Sequence, residues 1–241
     1  MRLAVVSDIH GNLDALESVL ADISSASVDE IISLGDNIGY GAEPEAVLRR
    51  LQSASIPSIL GNHELAVIDP SVRKWFNPLA RKSILHAVAH LSDGAIQYLH
   101  TLPTSLHRDG CWFVHGFPPN SPTIYLFQAS DDDIREGLAA TGCPICFVGH
   151  THILEMLIVD TCAVEHQELT CGAVLLEDGP RYLINIGSVG QPRDRNRDAK
   201  YVIFDTDSTM LEVHYVSYDR EAASRKIIAA GLPNAHAARL L

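Results

Sequence analysis

The strongest constraint on this chain is where its apolar runs stop. Arg2–Ser7 (RLAVVS) is a short β-branched run ending in Asp8-Ile9-His10-Gly11-Asn12, Ile31–Leu34 ends in Gly35-Asp36-Asn37, and Ser55–Leu60 ends in Gly61-Asn62-His63-Glu64. After the first run, Leu13, Leu16, Leu20 and Ile23 recur at the spacing of one helical face, and after the second, Pro44 opens a helix through Leu51. Strands alternating with helices in this way predict an α/β fold with parallel strands joined by crossovers. In open parallel sheets, ligands collect at the carboxyl ends of the strands. Asp8, His10, Asp36, Asn62 and His63 are therefore expected around one crevice.

The pattern changes further along. Residues 73–100 read as helical with a break near Ser92-Asp93-Gly94, and Trp75 and Phe76 are expected to pack there. From Cys111 onward the runs CWFVH, ICFVG, ILEMLIV, CAVEH, AVLLE, YLINI, YVIFD and LEVHYVSY read as short strands separated by Gly, Asp and Pro turns. Two of them end as the early strands do, in His115-Gly116 and in Gly149-His150-Thr151-His152. Asp219–Ala230 reads as a capped helix. There is no internal repeat, low-complexity tract or long linker, so residues 1–241 are expected to form one domain, with 116–130 as a rim loop over the site.

Composition narrows the function. Eighteen Lys and Arg against thirty Asp and Glu leave a net charge of −12, which argues against an extended nucleic-acid surface. No apolar run approaches the ~18 residues that span a bilayer, and the apolar stretch after Met1-Arg2 is too short for a secretory leader, so a cytoplasmic protein without membrane contact is expected. Five cysteines, an odd number, do not suggest a disulfide framework. Cys143-Pro-Ile-Cys146 has metal-knuckle spacing, but Cys162 and Cys171 do not supply a matching tight pair, and buried apolar cysteines are the expected outcome. Twelve histidines are an excess, and histidine is the commonest metal-ligating side chain.

Taken singly, each strand-end motif has an ordinary explanation. An Asp-x-His is usually a helix cap beside a surface histidine, and a lone Asn is usually a turn residue. Five such motifs, each following an apolar run and each offering compatible donors, point together to a metal site. Imidazoles, carboxylates and an amide oxygen suit Mn, Fe, Zn, Co or Ni rather than calcium.

The ordered set Asp8-x-His10, Gly35-Asp36, Gly61-Asn62-His63-Glu64, His115 and Gly149-His150-x-His152 resembles the calcineurin-like metallophosphoesterase superfamily. Asn185-Ile186-Gly187-Ser188 is similar to the Asn-Pro-Gly-Ser segment of its small bacterial and archaeal phosphodiesterase branch. The resemblance implies a four-layer αββα sandwich of two mixed β-sheets. It also implies two divalent transition-metal ions, one on Asp8, His10, Asp36 and His152 and the other on Asp36, Asn62, His115 and His150, with Asp36 bridging. A metal-bridging hydroxide would attack phosphorus, and His63 would assist the leaving oxygen as the catalytic residue, with Glu64 or another carboxylate orienting its ring.

Departures from the pattern bear on substrate. Protein phosphatases of the superfamily carry Asp-Arg-Gly at the second motif, whereas Asn37-Ile38-Gly39 stands here, so the phosphate-gripping arginine is missing. Asn37, Arg193 and Arg195 are candidate substrate contacts, the arginines because a planar guanidinium suits phosphate. Tyr125 and Phe127 in the rim loop are placed to stack a base or aryl group, or equally to fasten the loop to the core. The leading expectation is a phosphodiesterase acting on a small organic phosphate ester. The competing readings are a dinucleoside polyphosphate hydrolase, a Ser/Thr protein phosphatase, and a binding scaffold that kept the fold without turnover.

Overall fold

A computed structural model describes residues 1–241. Strands β1 (Arg2–Val6) and β2 (Glu30–Ser33) enclose α1 (Leu13–Ile23), and α2 (Pro44–Ser53) follows. A helical block comes next, with α3 (Asn62–Ile68), α4 (Pro78–His90) and α5 (Asp93–Leu99). Then come β3 (Ser105–Arg108), β4 (Cys111–Val114), α6 (Asp131–Thr141), β5 (Ile145–Val148), β6 (Leu154–Val159), β7 (Val164–Glu168), β8 (Gly172–Leu175), β9 (Arg181–Ile186), β10 (Ala199–Asp205) and β11 (Met210–Val216). Helices α7 (Arg220–Ala229) and α8 (Asn234–Ala238) close the chain.

The strands form two sheets, ordered β2-β1-β10-β11-β8 and β3-β4-β5-β9-β6-β7. Both are mixed: β1 runs parallel to β2 and antiparallel to β10, while β5 runs parallel to β4 and β9, and β6 antiparallel to β9. Strand alternation explains why the sheets stack. Leu3 and Val5 of β1, with Val202 and Phe204 of β10, pack against Phe113, Phe147, Met156 and Ile184 of the other sheet. The alternate residues Ala4, Val6, Tyr201 and Ile203 meet Leu16, Val19, Val47 and Leu51 on α1 and α2. On the far side, Cys146, Val148, Leu157 and Leu183 receive Ile134 and Leu138 of α6. The result is the expected αββα layering. No helix is long and apolar enough to cross a membrane.

Three expectations are corrected. Ser55–Leu60 does not form a strand; it touches β2 through one parallel bridge between Ser33 and Ser58, because Pro57 has no N–H to extend a ladder. Trp75 does not pack into the core but is 67% exposed, in a short 3-10 turn over Val72–Trp75, whereas Phe76 does pack against the α3–α5 cluster. The second half is not all strand: α6 interrupts it, capped by Ser130, whose hydroxyl accepts from the Asp133 amide. The Ser-Asp-Asp-Asp start is an acidic first turn that favours a helix N-terminus. Cys111, Cys143 and Cys146 are buried, Cys162 and Cys171 exposed, and no cysteine belongs to a metal-competent cluster.

Candidate metal centre

The turns after β1, β2, β4 and β5 and the first residues of α3 converge at one end of the sandwich. Asp8, His10, Asp36, Asn62, His63, His115, His150 and His152 are all buried there. Five of them, Asp8, His10, Asp36, His150 and His152, hold φ between 50° and 68°. Left-handed backbone costs a non-glycine residue about 1 kcal/mol or more, and such strain clusters at functional sites. Glycines beside them allow the close approach. A Cβ on Gly61 would overlap Asp36, and one on Gly149 would overlap Ser7 and Asp8.

Hydrogen bonds outside the crevice decide which ring nitrogen faces inward. His10 Nδ1 lies 3.0 Å from the Ile38 carbonyl, His152 Nδ1 2.6 Å from the Gln191 carbonyl, and His115 Nδ1 2.9 Å from the Leu34 carbonyl. His150 is turned round, with Nε2 3.3 Å from the Thr123 carbonyl. A carbonyl only accepts, so each of these nitrogens carries the proton and the other presents a lone pair. Those lone pairs face one another: His10 Nε2 and His152 Nε2 are 3.1 Å apart, and His115 Nε2 and His150 Nδ1 are 3.2 Å apart. Asn62 Oδ1 lies 3.3 Å from His115 Nε2.

Two carboxylates complete the arrangement. Asp8 Oδ1 is 3.3 Å from His152 Nε2 and 3.6 Å from His10 Nε2, and this buried oxygen has no hydrogen-bond donor. Its Oδ2 accepts from Ser7 Oγ at 2.7 Å and from the His150 amide at 3.0 Å. Asp36 Oδ2 lies between the two imidazole pairs, 3.7 Å from His10 Nε2 and 3.4 Å from His115 Nε2, while its Oδ1 accepts the His63 amide at 2.8 Å. The metal-competent groups are Asp8/His10/His152, His10/Asp36/His63 and Asp36/His115/His150. Facing lone pairs and an orphaned carboxylate oxygen fit cations.

The titration behaviour follows from this crowding. Burial acts against ionising Asp36, but the imidazoles around it, His115 foremost, hold its carboxyl well below the usual range. His115 is the counterpart: burial opposes its charge, yet Asp36 outweighs that and raises it to about 9, so at neutral pH without a cation a second proton occupies the Nε2 lone pair that a metal would take. His150 and His63 are pulled down to about 3, foremost by burial.

His63 stands apart from the facing pairs. Its ring packs against His10, Tyr40 and Phe76 at centroid distances of 4.7, 4.6 and 5.1 Å. Its Nδ1 is buried without a partner, and a Cβ on Gly39 would overlap the ring.

Several expected roles change. Asn37 does not face the crevice: its amide accepts from Ser33 Oγ at 2.6 Å and donates to Ser58 Oγ at 2.9 Å, tying β2 to the Ser58 segment. Arg195 is exposed and lines a separate cavity with Glu155, His166 and Glu168. Glu64 does not orient His63. Its carboxylate accepts the amides of Asp36, Asn37, Ile38 and Gly61 and so braces the turn that carries Asp36. Arg193 does reach the site: Nη2 is 3.5 Å from the Tyr40 hydroxyl and Cζ lies 6.0 Å from the ring centroid. Tyr40 itself was not foreseen, because a tyrosine in a glycine-rich loop carries no local signal of its packing on His10 and His63.

A profile of the calcineurin-like phosphoesterase superfamily domain matches residues 1–209. An uncharacterised protein of Methanocaldococcus jannaschii is 34% identical, over 96% of this chain and 93% of its own length. The crystal structure of a metallophosphoesterase from Sphaerobacter thermophilus superposes with a TM-score of 0.86 at 34% identity, covering 100% of this chain and 98% of that one. A symmetrical bis(5'-nucleosyl)-tetraphosphatase of an Acidovorax species is 42% identical over 71 residues, 28% of this chain and 25% of its own. Extent and identity together place the chain in the calcineurin-like phosphoesterase superfamily, whose members are metal-dependent phosphoester hydrolases.

Proposed function

We propose that the protein is a phosphodiesterase for a small organic phosphate ester, working with two divalent transition metals. The observation that carries this is the pair of facing imidazole lone pairs with Asp36 Oδ2 between them. Asp8, His10, Asp36 and His152 would hold one ion, and Asp36, Asn62, His115 and His150 the other, with Mn, Fe, Zn, Co and Ni all suited to the donors. When bound, the ions would supply Lewis-acid polarisation of the phosphate and activation of water.

The chain's own residues supply the rest. The carbonyls of Ile38, Gln191, Leu34 and Thr123 fix the histidine tautomers and rotations. Glu64 holds the Asp36 turn through four amides. His63, wedged between His10, Tyr40 and Phe76, donates to the leaving oxygen. Arg193 has no carboxylate within ion-pair distance and is positioned at Tyr40 to grip a non-bridging phosphate oxygen. The five free cysteines accord with work in a reducing cytoplasm.

The test is a matrix of metals against a diester, the matching monoester, a dinucleoside tetraphosphate and a phosphopeptide. Preferential turnover of the diester is expected; preference for either of the last two substrates would favour the corresponding alternative, and no turnover with any metal would favour a scaffold. His63→Asn is expected to keep metal content and to lower kcat on the order of 10²-fold.

A further inference from the structure

A cavity of about 240 Å³ opens directly beside the metal centre, and Asn62 and His150 form part of its wall. Half of the other lining residues are aromatic, and Val72, Asn77, Ala80 and Thr123 fill the gaps between them. Tyr40 comes from the turn between β2 and α2, Trp75 and Phe76 from the connection between α3 and α4, and Tyr125 from the segment after His115. Tyr125 stacks on His150 with ring centroids 3.7 Å apart and planes 18° from parallel. Trp75 is 67% exposed, a large apolar ring left in water at the edge of a polar centre. No Asp, Glu, Lys or Arg lines the cavity.

From this geometry we infer that the cavity is the leaving-group subsite and takes an uncharged planar aromatic group, a nucleoside base or a phenolic ring. The inference rests on the phosphodiesterase reading above. Phe76 joins the two parts of the argument: its ring lies edge-on to His63 at 5.1 Å and also lines the cavity. A leaving oxygen that receives a hydrogen bond from His63 therefore has its organic substituent directed along Phe76 toward Trp75. Aromatic walls reward a planar occupant by stacking. Without a counter-charge, the cavity disfavours a leaving group that is itself a phosphate or an ammonium. In the reaction, oxygen from water forms the new bond to phosphorus. The bond from phosphorus to the leaving oxygen breaks with its electron pair on oxygen, and that oxygen takes up the proton that the water releases. The products are a phosphate monoester and either a phenol or a nucleoside, whose leaving oxygen becomes a sugar hydroxyl.

The two-metal protein tests this with three diesters: bis-p-nitrophenyl phosphate, a dinucleoside monophosphate and glycerophosphoethanolamine. Trp75→Ala is expected to lower kcat/KM about tenfold on the aromatic diesters, mainly through KM, with a loss about fivefold smaller or less on glycerophosphoethanolamine. Comparing variant with wild type on each substrate cancels the differing reactivity of the leaving groups. Trp75→Phe should recover most of the loss, and whichever aromatic diester suffers more identifies base or phenol as the preferred group. Equal losses on all three, or none on the aromatic pair, would overturn the inference. Adenosine and phenol provide readouts independent of turnover: at least one should quench tryptophan fluorescence in wild type and not in Trp75→Ala, whereas glycerol should quench neither protein. Absence of quench by both refutes the subsite, while quench without turnover of any diester refutes the phosphodiesterase reading alone.

Discussion

Replacing Lys200 with Met should weaken both the fold and the grip on substrate. Lys200 lies on β10 with its side chain fully buried, and its Nζ donates to the carbonyls of Asn196 at 2.7 Å and Asp198 at 3.0 Å. It also pairs with Asp194 at 3.0 Å and sits 4.9 Å from the Tyr215 ring centroid. Burial pulls its pKa down, partly offset by Asp194. Methionine keeps most of the aliphatic stem and deletes the ammonium. Two carbonyls then lose a charged donor, each such bond being worth about 1.5–3 kcal/mol, and Asp194 loses its ion-pair partner. Two effects offset part of that loss: the loop carbonyls and Asp194, whose side chain is 21% exposed, regain water, and a buried charge no longer has to be desolvated. The net expectation is destabilisation by about 3 kcal/mol, read by urea unfolding, or roughly 6–12 °C in Tm. The same loop carries the Gln191 carbonyl that holds His152, and Arg193, so KM for a diester should rise more than kcat falls. A variant within about 0.5 kcal/mol of wild type with unchanged KM would refute the clamp. The double variant Lys200→Met/Asp194→Asn should be less destabilised than the sum of the single changes.

Other outcomes follow from the same geometry. Asp36→Ala should empty both metal positions rather than one, measured by elemental analysis; retention of one equivalent would remove its bridging role. In the metal-loaded protein, Glu64→Gln turns one of two oxygens, each accepting two amides, into a donor facing N–H groups, and should cost about 2–4 kcal/mol in chemical denaturation. Without metal, His63 and His150 titrate near 3 in the fold against 6.5 when free, so unfolding takes up protons and stability falls as pH drops below about 6.5. His115 is raised from 6.5 to about 9 and Glu64 from 4.5 to about 8, so the folded state keeps protons that the unfolded chain releases, Glu64's from about pH 4.5 and His115's from about 6.5. Once the depressed histidines are neutral in both states, above about pH 6.5, stability falls as pH rises. A calorimetric maximum near pH 6.5 in the apo protein is expected, with the alkaline limb suppressed by added metal; monotonic pH dependence would contradict the assignment.

Much of the donor inventory was legible because each donor follows an apolar run at a turn, and both features are local. The same locality hid what the donors do. Asn37 and Asp36 are neighbours at one strand end, yet Asp36 faces His10 and His115 while Asn37 turns to Ser33 and Ser58. Glu64 follows His63 at a helix start, where orienting a histidine and bracing a distant turn look identical in one dimension. The Ser55–Leu60 run was apolar enough for a strand, but Pro57 cannot donate to a ladder. Trp75 read as core from its helical neighbourhood, whereas the fold leaves it at the mouth of a cavity.

Sequence alone therefore determined the strand–helix alternation from β1 to α2 and the order in which metal-type donors appear along the chain, while the sandwich was legible only through the family resemblance. The tertiary structure decided which of those donors face one another. His10 and His152 present lone pairs 3.1 Å apart although 142 positions separate them. Their orientation depends on carbonyls at Ile38 and Gln191, which no local pattern identifies. Periodicity encodes which side of an element is apolar; the partner of a polar side chain at a turn is set by chain segments that only folding brings within hydrogen-bond reach.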